Sequence, residues 1–132
     1  MRAILLLPLL LLGCAAGSAC PAGTSATTFA ELAFGRSVRG EPRVTEADWA
    51  AFLAEEVTPR FPDGLTAWDA AGQWRGRDGR VGREATKLLW IALPGEGMAG
   101  AAARVGPVVE AYRARFGQES VLRAFRTGCV GF

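Results

Sequence analysis

The eight residues Thr86–Leu93, TKLLWIAL, are apolar at odd and even positions alike once the opening Thr-Lys is passed. That is the pattern of a strand inside a covered sheet. The organisation of the rest of the chain follows outward from it. Toward the N-terminus, the excursion WRGRDGRVGRE (residues 74–84) is rich in glycine, and its Asp78-Gly79 pair is suited to turning a hairpin onto a second strand at Leu65–Ala70. Toward the C-terminus, Pro94 and GEGMAGAAARVG (residues 95–106) read as a loop. A helix is expected to start near Pro107, whose missing amide suits a first turn. Its apolar face carries Val105, Val108, Val109, Tyr112 and Phe116, Gly117 ends it, and Ser120–Phe132 forms the last strand.

The N-terminal half repeats the alternation. Thr28–Arg36 is a strand candidate with Phe29, Leu32 and Phe34, followed by a polar, turn-like Gly35–Val44. In TEADWAAFLAEEV (residues 45–57), Thr45 can cap the free amides while Asp48, three residues on, completes a capping box. Trp49, Phe52, Leu53 and Val57 share one face of this helix, and Pro59 stops it. PRFPDGL (residues 59–65) is a rigid connection into the next strand. The order β-α-β-β-α-β, with two right-handed crossovers and a central hairpin, predicts an α+β domain of ferredoxin-like arrangement: a four-stranded antiparallel sheet with two helices on one face.

The chain of 132 residues has a formal charge of +2, which gives no electrostatic case for nucleic-acid binding. Its start has a different character. Arg2 precedes ten apolar residues, Ala3–Leu12, too few to span a bilayer and suited to a signal peptide over residues 1–13. Leu11-Leu12-Gly13-Cys14 resembles the bacterial lipoprotein signal, which implies lipidation of Cys14, membrane attachment through that lipid, and a tether over residues 14–27 ahead of a single domain at 28–132. Ala15 after the cysteine resembles the outer-membrane sorting pattern in a host with two membranes. The other cysteines, Cys20 and Cys129, are brought toward each other because the last strand lies antiparallel beside the first. In an exported chain they are expected to form a disulfide.

DWAAFLAEEVTPRFPDGLTAWDAAGQWR (Asp48–Arg75), Glu84–Ile91 and YRARFGQESVLR (Tyr112–Arg123) resemble the blocks of a bacterial family, domain of unknown function 3574. The resemblance implies a small exported protein or lipoprotein and carries no established activity.

The polar candidates for a ligand site are Arg60, Asp63, Thr66, Asp69, Gln73, Trp74, Glu84, Lys87 and Gln118. Arg60 and Asp63 lie at the helix exit, where they either bind an anion or tie down a structural corner. Glu84 and Lys87, three apart on a strand, point to opposite faces. Asp69 can meet either: with Glu84 it would form a carboxylate pair dividing acid and base roles, with Lys87 a cross-strand salt bridge. Tyr112 reads as a packed phenol with one hydrogen bond. Arg75, Arg77, Arg80 and Arg83 form a basic run that suits anionic lipid head groups or a solvated loop. The chain has no histidine, and its cysteines lack metal-site spacing, so neither metal nor cofactor is expected. Two functional readings stand: an envelope-associated domain binding a protein or small ligand, with pairing into a homodimer through the sheet, or a small-molecule enzyme using a carboxylate/Lys/Arg cluster without a metal.

Overall fold

A computed structural model describes residues 19–75 and 79–131. The expected signal peptide, Cys14 and the first part of the expected tether therefore lie outside the described residues, as do Arg77 and Asp78. The chain runs β1 (Ser25–Gly35), β2 (Ser37–Val38), β3 (Glu41–Pro42), α1 (Glu46–Phe52), β4 (Thr66–Arg75), β5 (Val81–Pro94), α2 (Met98–Phe116) and β6 (Leu122–Val130). The four long strands form an antiparallel sheet in the order β4-β5-β1-β6, with both helices on one face, as expected for a ferredoxin-like domain. β2 and β3 make a separate small hairpin.

The inner face of the sheet carries Leu32 and Phe34 of β1 and Leu89, Ile91 and Leu93 of β5, all buried. Against them pack Trp49 and Phe52 of α1 and Val105, Val108 and Tyr112 of α2. Phe34, Phe52 and Tyr112 meet edge to face, with ring centroids 4.7–6.0 Å apart. Full burial of each such side chain contributes about 1.5–3 kcal/mol.

The first helix begins as expected. The Thr45 hydroxyl accepts from the Asp48 amide at 3.1 Å, and the Asp48 carboxylate accepts from the Thr45 amide at 2.9 Å. It then widens into a π-helical turn at Leu53–Val57, closed by the Thr58 amide donating to the Leu53 carbonyl at 2.8 Å. The extra residue in this turn rotates Val57 back beneath the core, where both Phe52 and Val57 are fully buried.

The second helix corrects the expectation most. It begins at Met98, not near Pro107, so most of the segment read as a loop is helical. Met98–Ala103 contains four alanines, whose helix propensity outweighs Gly100. Pro107 sits inside the helix and forfeits only the bond to the Ala103 carbonyl. Gly117 ends the helix at φ +70°, its amide donating to the Arg113 carbonyl at 2.9 Å.

The sheet also differs from expectation on its outer face, which carries Phe29, Leu88 and Trp90 yet has no layer of the described chain over it. Cys20 and Cys129 are joined in a disulfide with Cα atoms 5.6 Å apart, across a sequence separation of 109. It ties the segment ahead of β1 to the end of β6, and closing a loop of that length contributes about 4–5 kcal/mol in the chain-entropy account. Among the described residues no helix is long and apolar enough to cross a membrane.

Candidate functional site

The sheet divides the polar candidates between its two faces. Asp69 lies directly across from Lys87 in the β4–β5 ladder, with their side chains on the helix side. Lys87, only 7% exposed, donates to Asp69 Oδ1 at 2.5 Å and to Glu46 Oε2 at 2.7 Å. The other oxygen of Glu46 pairs with Arg36, whose Nε donates to the Val44 carbonyl at 2.8 Å. Hydrogen bonding from Lys87 holds the carboxyls of Asp69 and Glu46 below their ordinary range. The same bonds, that to Asp69 first, push the Lys87 ammonium above its ordinary value. With its charge satisfied by two carboxylates, Lys87 ties β4 and β5 to α1. The cross-strand salt bridge is therefore the form Asp69 takes, and a carboxylate pair with Glu84 is not.

Glu84 faces the other way, into a pocket of about 500 Å³ on the outer face. Gln73, Trp74 and Gln118 line the same pocket, so four of the candidates from sequence come together there. Its floor is made by glycine. A Cβ on Gly35 would stand 2.6 Å from a Glu84 oxygen, and one on Gly72 would stand 2.7 Å from the Thr86 hydroxyl. Bare backbone at these two strand positions is what lets the Glu84 and Thr86 side chains lie down across the sheet.

The Glu84 carboxylate accepts from the Ser37 amide at 3.0 Å. The Ser37 carbonyl accepts from Gln118 Nε2 at 3.0 Å, and the Gly35 carbonyl accepts from the buried Tyr112 hydroxyl at 2.9 Å. Burial pushes the Tyr112 phenol far above its ordinary value, so it stays protonated and donating. Helix α2 and the loop after it thus fix the chain just beyond β1, and that chain fixes Glu84. Among the described residues, no Lys or Arg forms an ion pair with Glu84.

Arg60, Asp63 and Thr66 do not join this pocket. Arg60 pairs with Glu56 at 2.8 Å, and its carbonyl accepts from Arg104 at 3.0 Å, so it serves the corner. Asp63 and Thr66 edge a second recess of about 500 Å³, with Leu65, Trp90, Ala92 and Pro94. The indole N–H of Trp90 is buried there without a partner among the described residues. Arg75, Arg80 and Arg83 flank the hairpin. Among the described residues, no group of three His, Cys, Asp or Glu side chains is placed to hold a metal ion.

Sequence reasoning missed Gly35, Ser37, Gly72 and Thr86 as parts of the pocket. The one available signal was glycine inside strands, which marks close approach of another group. The Ser37–Glu84 bond spans 47 residues and has no local signature.

The family described as Protein of unknown function (DUF3574) matches residues 29–132. No curated protein matches the sequence. Solved structures that share the fold include two of a phage enzyme. A phage SAM lyase in complex with S-methyl-5'-thioadenosine has a TM-score of 0.62 at 18% identity, covering 80% of this chain and 90% of that one. The phage SAM lyase in its apo state has a TM-score of 0.59 at 16% identity, covering 81% and 90%.

The Lys87 cluster makes stability depend on pH with a definite sign. Asp69 and Glu46 titrate below their ordinary values of 3.8 and 4.5, so their contribution is complete above pH 4.5 and is lost as pH falls through the lowered native values. Lys87 titrates above its ordinary 10.5, so its contribution is complete below that pH and is lost only on further rise. The urea midpoint of the wild type is expected to fall more steeply in acid than that of Lys87→Met, the two curves converging. Parallel curves would show that the cluster contributes nothing.

Proposed function

We propose that this chain, which belongs to the family Protein of unknown function (DUF3574), is a small-molecule enzyme that holds an organic cation in the Glu84 pocket. The observation that carries the reading is the state of Glu84. Its carboxylate is fixed by a backbone amide in a glycine-floored pocket and has no ion-pair partner among the described residues. Such a group attracts a positive ligand, and the neighbouring Trp74 offers a ring face to it. The carboxylate/Lys/Arg cluster expected from sequence reduces to this one carboxylate, because Lys87 and Asp69 serve the opposite face and Arg60 serves the corner.

The fold shared with the phage SAM lyase supports an adenosyl sulfonium as the first member of the class to test. A sulfonium is a permanent cation, and its purine is a flat ring. Cleaving the bond from sulfur to the amino-acid chain leaves the electron pair on sulfur and releases neutral S-methyl-5'-thioadenosine. The four-carbon fragment completes its valence by bonding its own carboxylate oxygen to the freed carbon, or by losing the neighbouring proton to water as a carbon–carbon double bond forms. Both routes conserve electrons without an oxidant. Glu84 would orient the sulfonium beside the Trp74 ring.

We also propose that the protein is exported and held at the envelope by lipid on Cys14, in the outer membrane where the host has two. The Cys20–Cys129 disulfide supports an oxidising compartment. An exported site meets cations outside the cytoplasm, so the class proposed is the organic cation bearing a flat ring, and the adenosyl sulfonium is its probe. Mass spectrometry of the membrane fraction is expected to find the mature chain starting at acylated Cys14; a mature chain with Cys14 unmodified would overturn the anchor.

Isothermal titration of the full chain with S-adenosylmethionine and with S-methyl-5'-thioadenosine tests the pocket. Glu84→Gln is expected to weaken the cation about tenfold, about 1.4 kcal/mol, and to leave the neutral thioether nearly unchanged. Chromatography of the incubated mixture is expected to show the thioether accumulating with wild type. Equal affinity of the cation for both proteins, or no binding of either compound at about millimolar concentration, about −4 kcal/mol, would contradict the reading.

A further inference from the structure

The outer face of the sheet is built differently from a solvated one. An antiparallel sheet with one face in water alternates polar residues outward, but here that face carries Phe29, Trp68, Trp74, Leu88, Trp90 and Leu122. Trp68, Trp74 and Leu122 are 42%, 56% and 62% exposed. Some of its side chains also lie across glycines of neighbouring strands. A Cβ on Gly128 would stand 2.8 Å from the Phe29 ring, and one on Gly82 would stand 3.3 Å from Trp74. Phe29 and Trp90 stack with centroids 5.0 Å apart and planes 12° from parallel. The charges near the middle cancel, since Arg126 pairs with Glu31 at 3.2 Å and lies over the Phe29 ring.

We propose that this face is the docking surface for a second copy of the chain, the two sheets packing face to face. Four strands about 4.8 Å apart and about nine residues long present roughly 19 Å by 30 Å, about 570 Å² before corrugation. That is about seven-tenths of the roughly 800 Å² per partner of a standard stable interface, and two such faces together clear the roughly 1,000 Å² expected of a specific one. The charges of Arg126 and Glu31 near its middle are already paired, so a two-fold copy sets no unpaired like charges against each other there. The same features give nothing for a polyanion or a lipid head group to grip.

Docking also bears on the pocket. Trp74 and Leu122, both exposed on this face, also line the pocket. The partner sheet would close it and remove water from around Glu84, which strengthens attraction for a cation. This consequence rests on the reading of the pocket; the docking itself does not, and it is measured without ligand.

Sedimentation equilibrium of the full chain in density-matched detergent, at about 100 μM and so well above the micromolar Kd of a weak specific pair, is expected to give twice the mass of the chain. Trp68→Lys and Leu122→Lys are each expected to sediment as monomers with unchanged circular dichroism. Met98→Lys, on α2 away from the face, is expected to stay dimeric. A monomeric wild type would overturn the proposal, as would an assembly larger than two, or a dimer that survives whichever of the two face variants retains the fold.

Discussion

The pairing of β1 with β5 is the constraint on which everything else depends. Leu32 lies across from Leu89, Phe34 from Lys87 and Gly35 from Thr86. A slip of one residue would turn Leu89, Ile91 and Leu93 out to solvent and bring Thr86, Leu88 and Trp90 into the core. The observed register is the one in which Phe34 can meet Trp49, Phe52 and Tyr112. It also puts Gly35, which has no side chain, beneath the Glu84 carboxylate. Core and pocket are thus set by one ladder, and Tyr112 joins them by packing with the first and donating its hydroxyl to the Gly35 carbonyl at the floor of the second.

Much of this was legible in the residues. The continuous apolar run of TKLLWIAL as a strand, the Thr45–Asp48 box and the order of elements are local signals, and each is realised. The Cys20–Cys129 bond followed from placing the last strand beside the first, which needs only topology. Asp69 with Lys87 was legible as a cross-strand pair. What escaped reading has a physical reason in each case. Gly95–Gly106 looked like a loop because glycine and proline are strong local breakers, yet the alanines between them and burial of Ala101 and Val105 outweigh that preference. The widened turn at Leu53–Val57 depends on where Val57 must point, which is set by the sheet.

The candidate site was legible as a set of residues but not as a place. Gln73, Trp74, Glu84 and Gln118 converge because β4, β5 and the loop after α2 meet at one end of the sheet, while Asp69 and Lys87 stand behind the same strands and Asp63 and Thr66 edge another recess. Strand parity separates Glu84 from Lys87; nothing local joins Glu84 to Ser37. The division also separates roles. On the helix face every charge near Lys87 has a partner and the cluster holds the fold together, whereas on the outer face Glu84 is ordered and has no ion-pair partner among the described residues.

The central claim is that this ordered carboxylate marks where a cation binds. Amide chemical shifts in the NMR spectrum of the protein, followed as S-adenosylmethionine is added, test it most directly. The account predicts shifts concentrated at Ser37, Glu84 and Gln118 and at the indole of Trp74, with Asp69 and Lys87 unmoved. Shifts centred on the Lys87 cluster, or a spectrum that does not change at all, would contradict it.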